Sequence, residues 1–192
     1  MKLFFTRHGE TDWNSEKRIQ GSTDIELNKN GLEQGKELGI ALQDKHLHIE
    51  RIYTSKQKRA VKTAEIVSKY IDKKYEVLEG LEEMNLGLWE GYTWTEVQEK
   101  YPEEYSKWLL DRRYTRLREG ESYQDVLDRL LPTLEKIIET NSSDVLIVTH
   151  SAVIMTLLSY LRDTPFSQMV ENYNMKNTEI VEIESKELVI KN

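Results

Sequence analysis

The chain has 192 residues, 38% of them hydrophobic, with ten Tyr and four Trp, which is enough for one domain with a substantial core and too apolar for a disordered segment. Cysteine is absent, which removes disulfides, thiolate chemistry and cysteine-ligated metals, and a formal charge of -7 disfavours nucleic acid as a partner. No apolar run approaches the roughly 20 residues of a membrane span and no export signal is evident, so a soluble, cytoplasmic protein with no membrane partner is expected.

Strands and helices alternate along the chain. Lys2 to Arg7 reads as a strand. Gly31 to Lys45 reads as a helix with Asn30 as N-cap, Glu33 at the third helical position, and Leu32, Leu38 and Leu42 near one another on a face. Arg51 to Thr54 is a short strand, Gln57 to Tyr70 a helix striped by Ala60, Val61, Ala64 and Val67, and Tyr75 to Leu78 is extended again. Ser122 with Asp125 caps a helix whose Val126, Leu127, Leu130, Leu131, Leu134 and Ile138 recur at helical steps, with Pro132 a point of distortion. Val145 to Val148 has the continuous apolar character of a central strand, followed by an apolar helix from Ala152 to Leu161. Thr178 to Ile190 alternates imperfectly about Ser185-Lys186, as in a terminal hairpin. The expected fold is therefore α/β, a single-domain three-layer sandwich spanning 1–192: a mostly parallel mixed central sheet, helices on both faces and a small helical insertion.

That insertion is the stretch at about 88–120, where Trp89, Tyr92, Trp94, Tyr101, Tyr105, Trp108 and Tyr114 accompany Arg112, Arg113, Arg116 and Arg118. Such a segment can cap a site with an aromatic wall and anion-binding arginines, or be an ordinary helical subdomain with a solvated charged side.

Of four histidines, His8 and His150 each follow a strongly apolar strand, whereas His46 and His48 sit in a polar helix-to-strand connection. His8 and His150 can thus meet at one sheet edge. An imidazole beside a guanidinium in Arg7-His8-Gly9 suggests a nucleophile next to an anion clamp, which is the chemistry of a phosphoryl group. Arg7 disfavours the imidazolium and offers directional donors to phosphate oxygens. Arg59, within the basic patch of Lys56, Lys58, Arg59 and Lys62, and His150 complete a charged enclosure that needs no metal or other cofactor. A leaving alkoxide also needs a proton. Glu82 and Glu83 precede a glycine-bounded apolar segment able to desolvate a carboxyl group, and spacing does not choose between them.

These residues fall in an ordered series: Arg7-His8-Gly9-Glu10-Thr11 with Trp13-Asn14; Gly21 and Asp24-x-x-Leu27; Tyr53-Thr54-Ser55, Arg59-Ala60 and Thr63-Ala64; Leu81-x-Glu83; Gly87-x-Trp89-Glu90-Gly91; Gly120-Glu121-Ser122; and Val148-Thr149-His150. The series resembles the histidine phosphatase superfamily, which contains the cofactor-dependent phosphoglycerate mutases and related small phosphatases. The resemblance implies that His8 is the transiently phosphorylated nucleophile, that Arg7, Arg59 and His150 form the phosphate pocket with Asn14 as a further contact, and that Glu83 rather than Glu82 donates the proton and later activates water. Two departures bear on the substrate. Ser151-Ala152 stands where the family commonly places glycine after its second histidine, and the familiar downstream arginine is absent. Ser151 and the insertion's Arg112, Arg113 and Arg116 are therefore candidate substrate contacts.

The leading expectation is a metal-independent phosphatase acting on a small phosphorylated metabolite. A phosphoglycerate mutase-like phosphotransferase and a non-catalytic phosphoester-binding regulatory protein are the alternatives. A homo-oligomer is left open.

Overall fold

In the computed structural model, which describes residues 1–45 and 47–191, five strands form one sheet in the order β3-β2-β4-β1-β5. The strands are β1 (Lys2–Arg7), β2 (Ile49–Thr54), β3 (Tyr75–Val77), β4 (Asp144–Thr149) and β5 (Ile180–Glu184). The β1–β4, β4–β2 and β2–β3 pairs are parallel, and β5 runs antiparallel to β1. The result is the mixed, mostly parallel sheet of a three-layer α/β sandwich.

Side-chain alternation along the central strands builds the two outer layers. Phe4, Leu146, Val148 and Ile52 face one side, where they meet Leu38 and Leu42 of α2 (Lys29–Asp44) and Ala60, Ala64 and Val67 of α3 (Lys58–Ile71). Leu3, Phe5, Val145 and Ile147 face the other. There they meet α6 (Tyr123–Thr140) through Leu127, Leu130 and Leu134, and α7 (Ser151–Leu161) through Val153, Ile154 and Leu157. Helix α7 is apolar on nearly every side because it is enclosed by the sheet and by other helices, a case in which periodicity carries little information. A short α1 (Asp12–Ser15) follows β1. The helical insertion is a 3₁₀ turn at Gly87–Trp89 with α4 (Trp94–Lys100) and α5 (Pro102–Leu110). Its core is aromatic: Trp108 packs edge-on against Trp89 at 5.5 Å and stacks on Trp94 at 5.6 Å. Towards the C-terminus come α8 (Met169–Tyr173) and α9 (Ser185–Lys191).

Two expectations, the N-cap of α2 and the terminal hairpin, are corrected. The N-cap of α2 is Asn28, not Asn30: its side chain accepts from Gly31 N at 2.8 Å while its amide holds Glu10, so the cap is chosen by its contact with the loop after β1. Helix α6 passes through Pro132 as one element. The terminal hairpin is instead β5 followed by α9. By Ser185, whose N–H donates to Met1 O, the chain has reached the beginning of β1 and has no strand left to pair with; Glu187 then accepts from Glu184 N and Leu188 turns into the core. The capping box of Ser122 and Asp125 is formed as the sequence suggests. Among the described residues, no helix is long and apolar enough to cross a membrane.

Candidate active site

Parallel pairing brings the carboxyl ends of β1, β4 and β2 to one edge, where the residue after each strand starts the site. His8 N donates to Thr149 O at 3.0 Å and Ser55 N to Val148 O at 3.3 Å, so His8, His150 and Ser55 lie side by side. The loop carrying His8 approaches the first turn of α2 so closely that a Cβ on Gly9 would sit 2.5 Å from Gly31 O.

His8 is 2% exposed, and its Nδ1 lies 2.7 Å from Gly9 O. A carbonyl only accepts, so Nδ1 carries the proton and Nε2 keeps its lone pair. Burial, then the charges of Arg59 and Arg7, hold the imidazole well below its usual range, which outweighs the opposing pull of the Gly9 bond. The His150 ring is 5.1 Å away, and its Nε2 is 2.7 Å from Ser55 Oγ. It too is held neutral, first by burial and then by Arg59.

Two arginines flank this pair. Arg59, fully buried, donates to Thr23 O and Gly21 O, both at 2.8 Å. Arg7 donates to Met175 O at 2.8 Å. Among the described residues, Arg7 Nε, Arg59 Nε and His150 Nδ1 are buried with no hydrogen-bond partner. Gly21, at φ +53°, bends the loop that receives Arg59, and a Cβ there would meet the Glu90 carboxylate at 2.1 Å. Glu90 itself accepts from Ser22 N and Thr23 N, which ties this loop to residues 86–90.

The structure separates the adjacent glutamates. Glu83 lines the same cavity as His8, Arg7 and Arg59, and its Oε1 and Oε2 accept from Met84 N at 2.9 Å and Ala152 N at 3.4 Å. Burial pushes its carboxyl up, against the pull of those bonds and of Arg59 and Arg7. Glu82 turns away to Gly80 N, with Arg129 and Lys56 each 3.7 Å from it. The cavity holds about 380 Å³; Asn14, Ser151 and Arg112 also line it, and Leu86, Trp94, Trp108, Met155 and Val170 give it an apolar wall.

Of the insertion's candidate arginines, only Arg112 is brought to this cavity, with its guanidinium 4.4 Å over the Trp108 ring. Arg113 bonds Gln124 and lies over Phe166, and Arg116 bonds Gly120 O and pairs with Asp125. Both therefore lie off the cavity wall. His48 lines a separate cavity at the amino end of β2, and His46 lies outside the described residues. The sequence places Ser55 in the ordered series without a role and does not point to Asn177, whose amide donates to His8 O at 2.9 Å and to Asn14 Oδ1 at 3.3 Å. Ser55 had a usable signal, because it follows β2 as His8 follows β1; Asn177 had none.

Residues 3–189 match the sequence profile of the Histidine phosphatase superfamily (branch 1). The chain is 32% identical over 167 residues to the rat 6-phosphofructo-2-kinase/fructose-2,6-bisphosphatase 3, a match covering 87% of this chain and 29% of that protein. It thus spans about a third of the length of the curated relatives it matches. Among solved structures, Bacillus stearothermophilus YhfR superposes with a TM-score of 0.86 at 35% identity, covering 95% of this chain and 90% of that one. A mycobacterial glucosyl-3-phosphoglycerate phosphatase superposes with a TM-score of 0.83 at 26% identity, covering 95% and 92%.

Proposed function

Because the chain belongs to the histidine phosphatase superfamily, we propose that it hydrolyses small-molecule phosphomonoesters through a phosphohistidine on His8, without a metal. The observation that carries this reading is the fixed tautomer of His8: Nδ1–H is held by Gly9 O, and Nε2 is a neutral nucleophile in a cavity shared with two arginines and a protonation-prone glutamate.

In the first half-reaction His8 Nε2 forms the N–P bond as the ester P–O bond breaks. Glu83 gives its proton to the departing alcohol oxygen. Arg7, Arg59 and Asn14 take the non-bridging oxygens; if Ser55 O–H donates to His150 Nε2, the His150 proton sits on Nδ1 and is a further donor to them. In the second half, Glu83, now a carboxylate, takes a proton from water as its oxygen attacks phosphorus. The P–N bond breaks, inorganic phosphate leaves, and both residues return to their starting states. The hydrolytic names of the bisphosphatase-containing relatives and of the mycobacterial phosphatase support water as the final acceptor.

The test is rapid mixing with p-nitrophenyl phosphate in the presence of EDTA, with an alkaline quench that preserves phosphohistidine. A burst of nitrophenol, phosphate on the peptide containing His8, and loss of both in His8→Ala are expected. Labelling that persists in His8→Ala would overturn the assignment, and transfer between phosphoester isomers with little phosphate release would identify a phosphotransferase instead.

A further inference from the structure

We infer that Gln57 is a positioning residue that sets the proton donor Glu83 against the phosphate-binding Arg59. This rests on Glu83 acting as the acid in the reaction above. Gln57 is 5% exposed and stands at the N-cap of α3, yet its side chain makes no bond to that helix. It spans two loops instead. Its Oε1 accepts from Glu83 N at 2.9 Å, and its Nε2 donates to Gly21 O at 3.0 Å. Turning the amide over would set donor against donor and acceptor against acceptor, so the orientation follows from its neighbours.

Gly21 O is also the acceptor of Arg59 Nη2 at 2.8 Å. One carbonyl thus joins the guanidinium to the amide that holds the backbone of Glu83. From the other side, Arg129 donates to Glu83 O at 3.2 Å and to Gly80 O at 3.0 Å. Glu83 is therefore gripped at its N–H by Gln57 and at its C=O by Arg129. Arg129 serves the fold by tying α6 to this loop, whereas Gln57 joins the loop to the side chain that will hold the phosphoryl group. Proton transfer depends steeply on donor–acceptor distance, so loosening this link weakens acid catalysis before it weakens phosphate binding.

Gln57→Met keeps the length of the side chain and removes both bonds. The readout is kcat/KM for an alkyl phosphate, whose leaving group needs a proton, against p-nitrophenyl phosphate, whose leaving group needs little help. The alkyl ester is expected to lose about 10- to 100-fold, the aryl ester less than about threefold, and the inhibition constant of orthovanadate to move less than about threefold. Gln57→Glu retains the acceptor for Glu83 N–H and should lose less on the alkyl ester than Gln57→Met; it also serves if the methionine variant does not fold. Equal losses on both esters, in whichever variant folds, or no loss on either, would overturn the inference. Glu83→Gln in the same assay separates the two levels: if it too shows no preference for the alkyl ester, the acid assignment has failed, and if it does while the Gln57 variants do not, only the positioning role has.

Discussion

Lowering the pH from 6 to 5 should destabilise this protein by an amount set by three buried groups. His8 and His150 are 2% and 0% exposed and are held neutral, chiefly by burial and then by Arg59. An unfolded histidine titrates near 6.5, so below about that pH the unfolded chain binds protons that the native site refuses, and stability falls by about 1.4 kcal/mol per pH unit for each. Glu83 counts in the opposite sense. Its carboxyl is raised above 4.5 by burial, so between that value and its native one the folded state holds the extra proton and gains as pH falls. The net slope is about 2.7 kcal/mol per unit above the titration of Glu83 and about 1.4 within it. Carboxylates whose pairing lowers them, such as Glu65 and Asp125, lose their contribution only below their unfolded value near 4, outside this window. Over pH 6 to 5 the loss is about 1.4–2.7 kcal/mol, a fall in Tm of about 3–11 °C for a chain of this size. Calorimetry in phosphate-free buffers of matched ionic strength measures it. His8→Asn should flatten the profile by about 1.4 kcal/mol per unit, and Glu83→Gln should steepen it where Glu83 titrates. A wild-type Tm flat from pH 6.5 to 5, or a His8→Asn profile parallel to it, would refute the buried neutral pair.

Arg112→Met should raise KM about fivefold or more for esters that fill the cavity, whereas Arg116→Met, at a side chain that bonds Gly120 O and pairs with Asp125 off the cavity wall, should leave KM within about twofold; steady-state kinetics on the two variants checks the contrast. Gly31→Ala places a Cβ 2.1 Å from the backbone oxygen of Glu10, so urea unfolding should show a loss of about 1–3 kcal/mol, together with a fall in kcat as the His8 loop shifts. Arg129→Met leaves Glu121 without its bidentate partner and frees the carbonyls of Gly80 and Glu83, at an expected loss of about 2–4 kcal/mol. A double-mutant cycle with Glu121→Gln should recover part of it as coupling, and additive effects would deny the pair.

What was legible in the sequence is what repeats with a period or directly follows a strand. The continuous apolar runs of β1 and β4 place His8 and His150 at strand ends, and parallel pairing then brings them together with no further information. Glu82 and Glu83 differ by one position, and only the path of the loop between β3 and the insertion decides which faces the cavity. That path is set by distant groups: Leu81 O accepts from Thr149 Oγ1 at 2.6 Å, and Arg129 holds the carbonyls on either side. The same holds for Arg112, Arg113 and Arg116, whose directions follow from an irregular turn pinned by Gln124 and Asp125 of α6 rather than from any period. The terminal helix was misread because its apolar positions suit a strand as well, and the length of β1 made the choice. Asn177 reaches His8 O from the far end of the chain, a contact with no local signature.

The electrostatics of the site explain why its parts come as a set. A nucleophilic imidazole must be neutral, and here burial and the two arginines make it so. Burying those arginines is itself unfavourable: desolvation lowers both, and the charge of Glu83 opposes this in each, joined at Arg59 by Asp24 and Glu90. Yet the same burial raises Glu83 toward its protonated form, in which it no longer compensates them. With Glu83 protonated, Arg7 loses the carboxylate charge that supports it, while Asp24 and Glu90 still support Arg59. In the reaction proposed above, a phosphoryl dianion supplies that missing negative charge and leaves Glu83 free to stay protonated. In that proposed reaction, proton transfer to the leaving group leaves a carboxylate beside the arginines, so the alcohol departs neutral and the negative charge stays in the site, where it can take a proton from water.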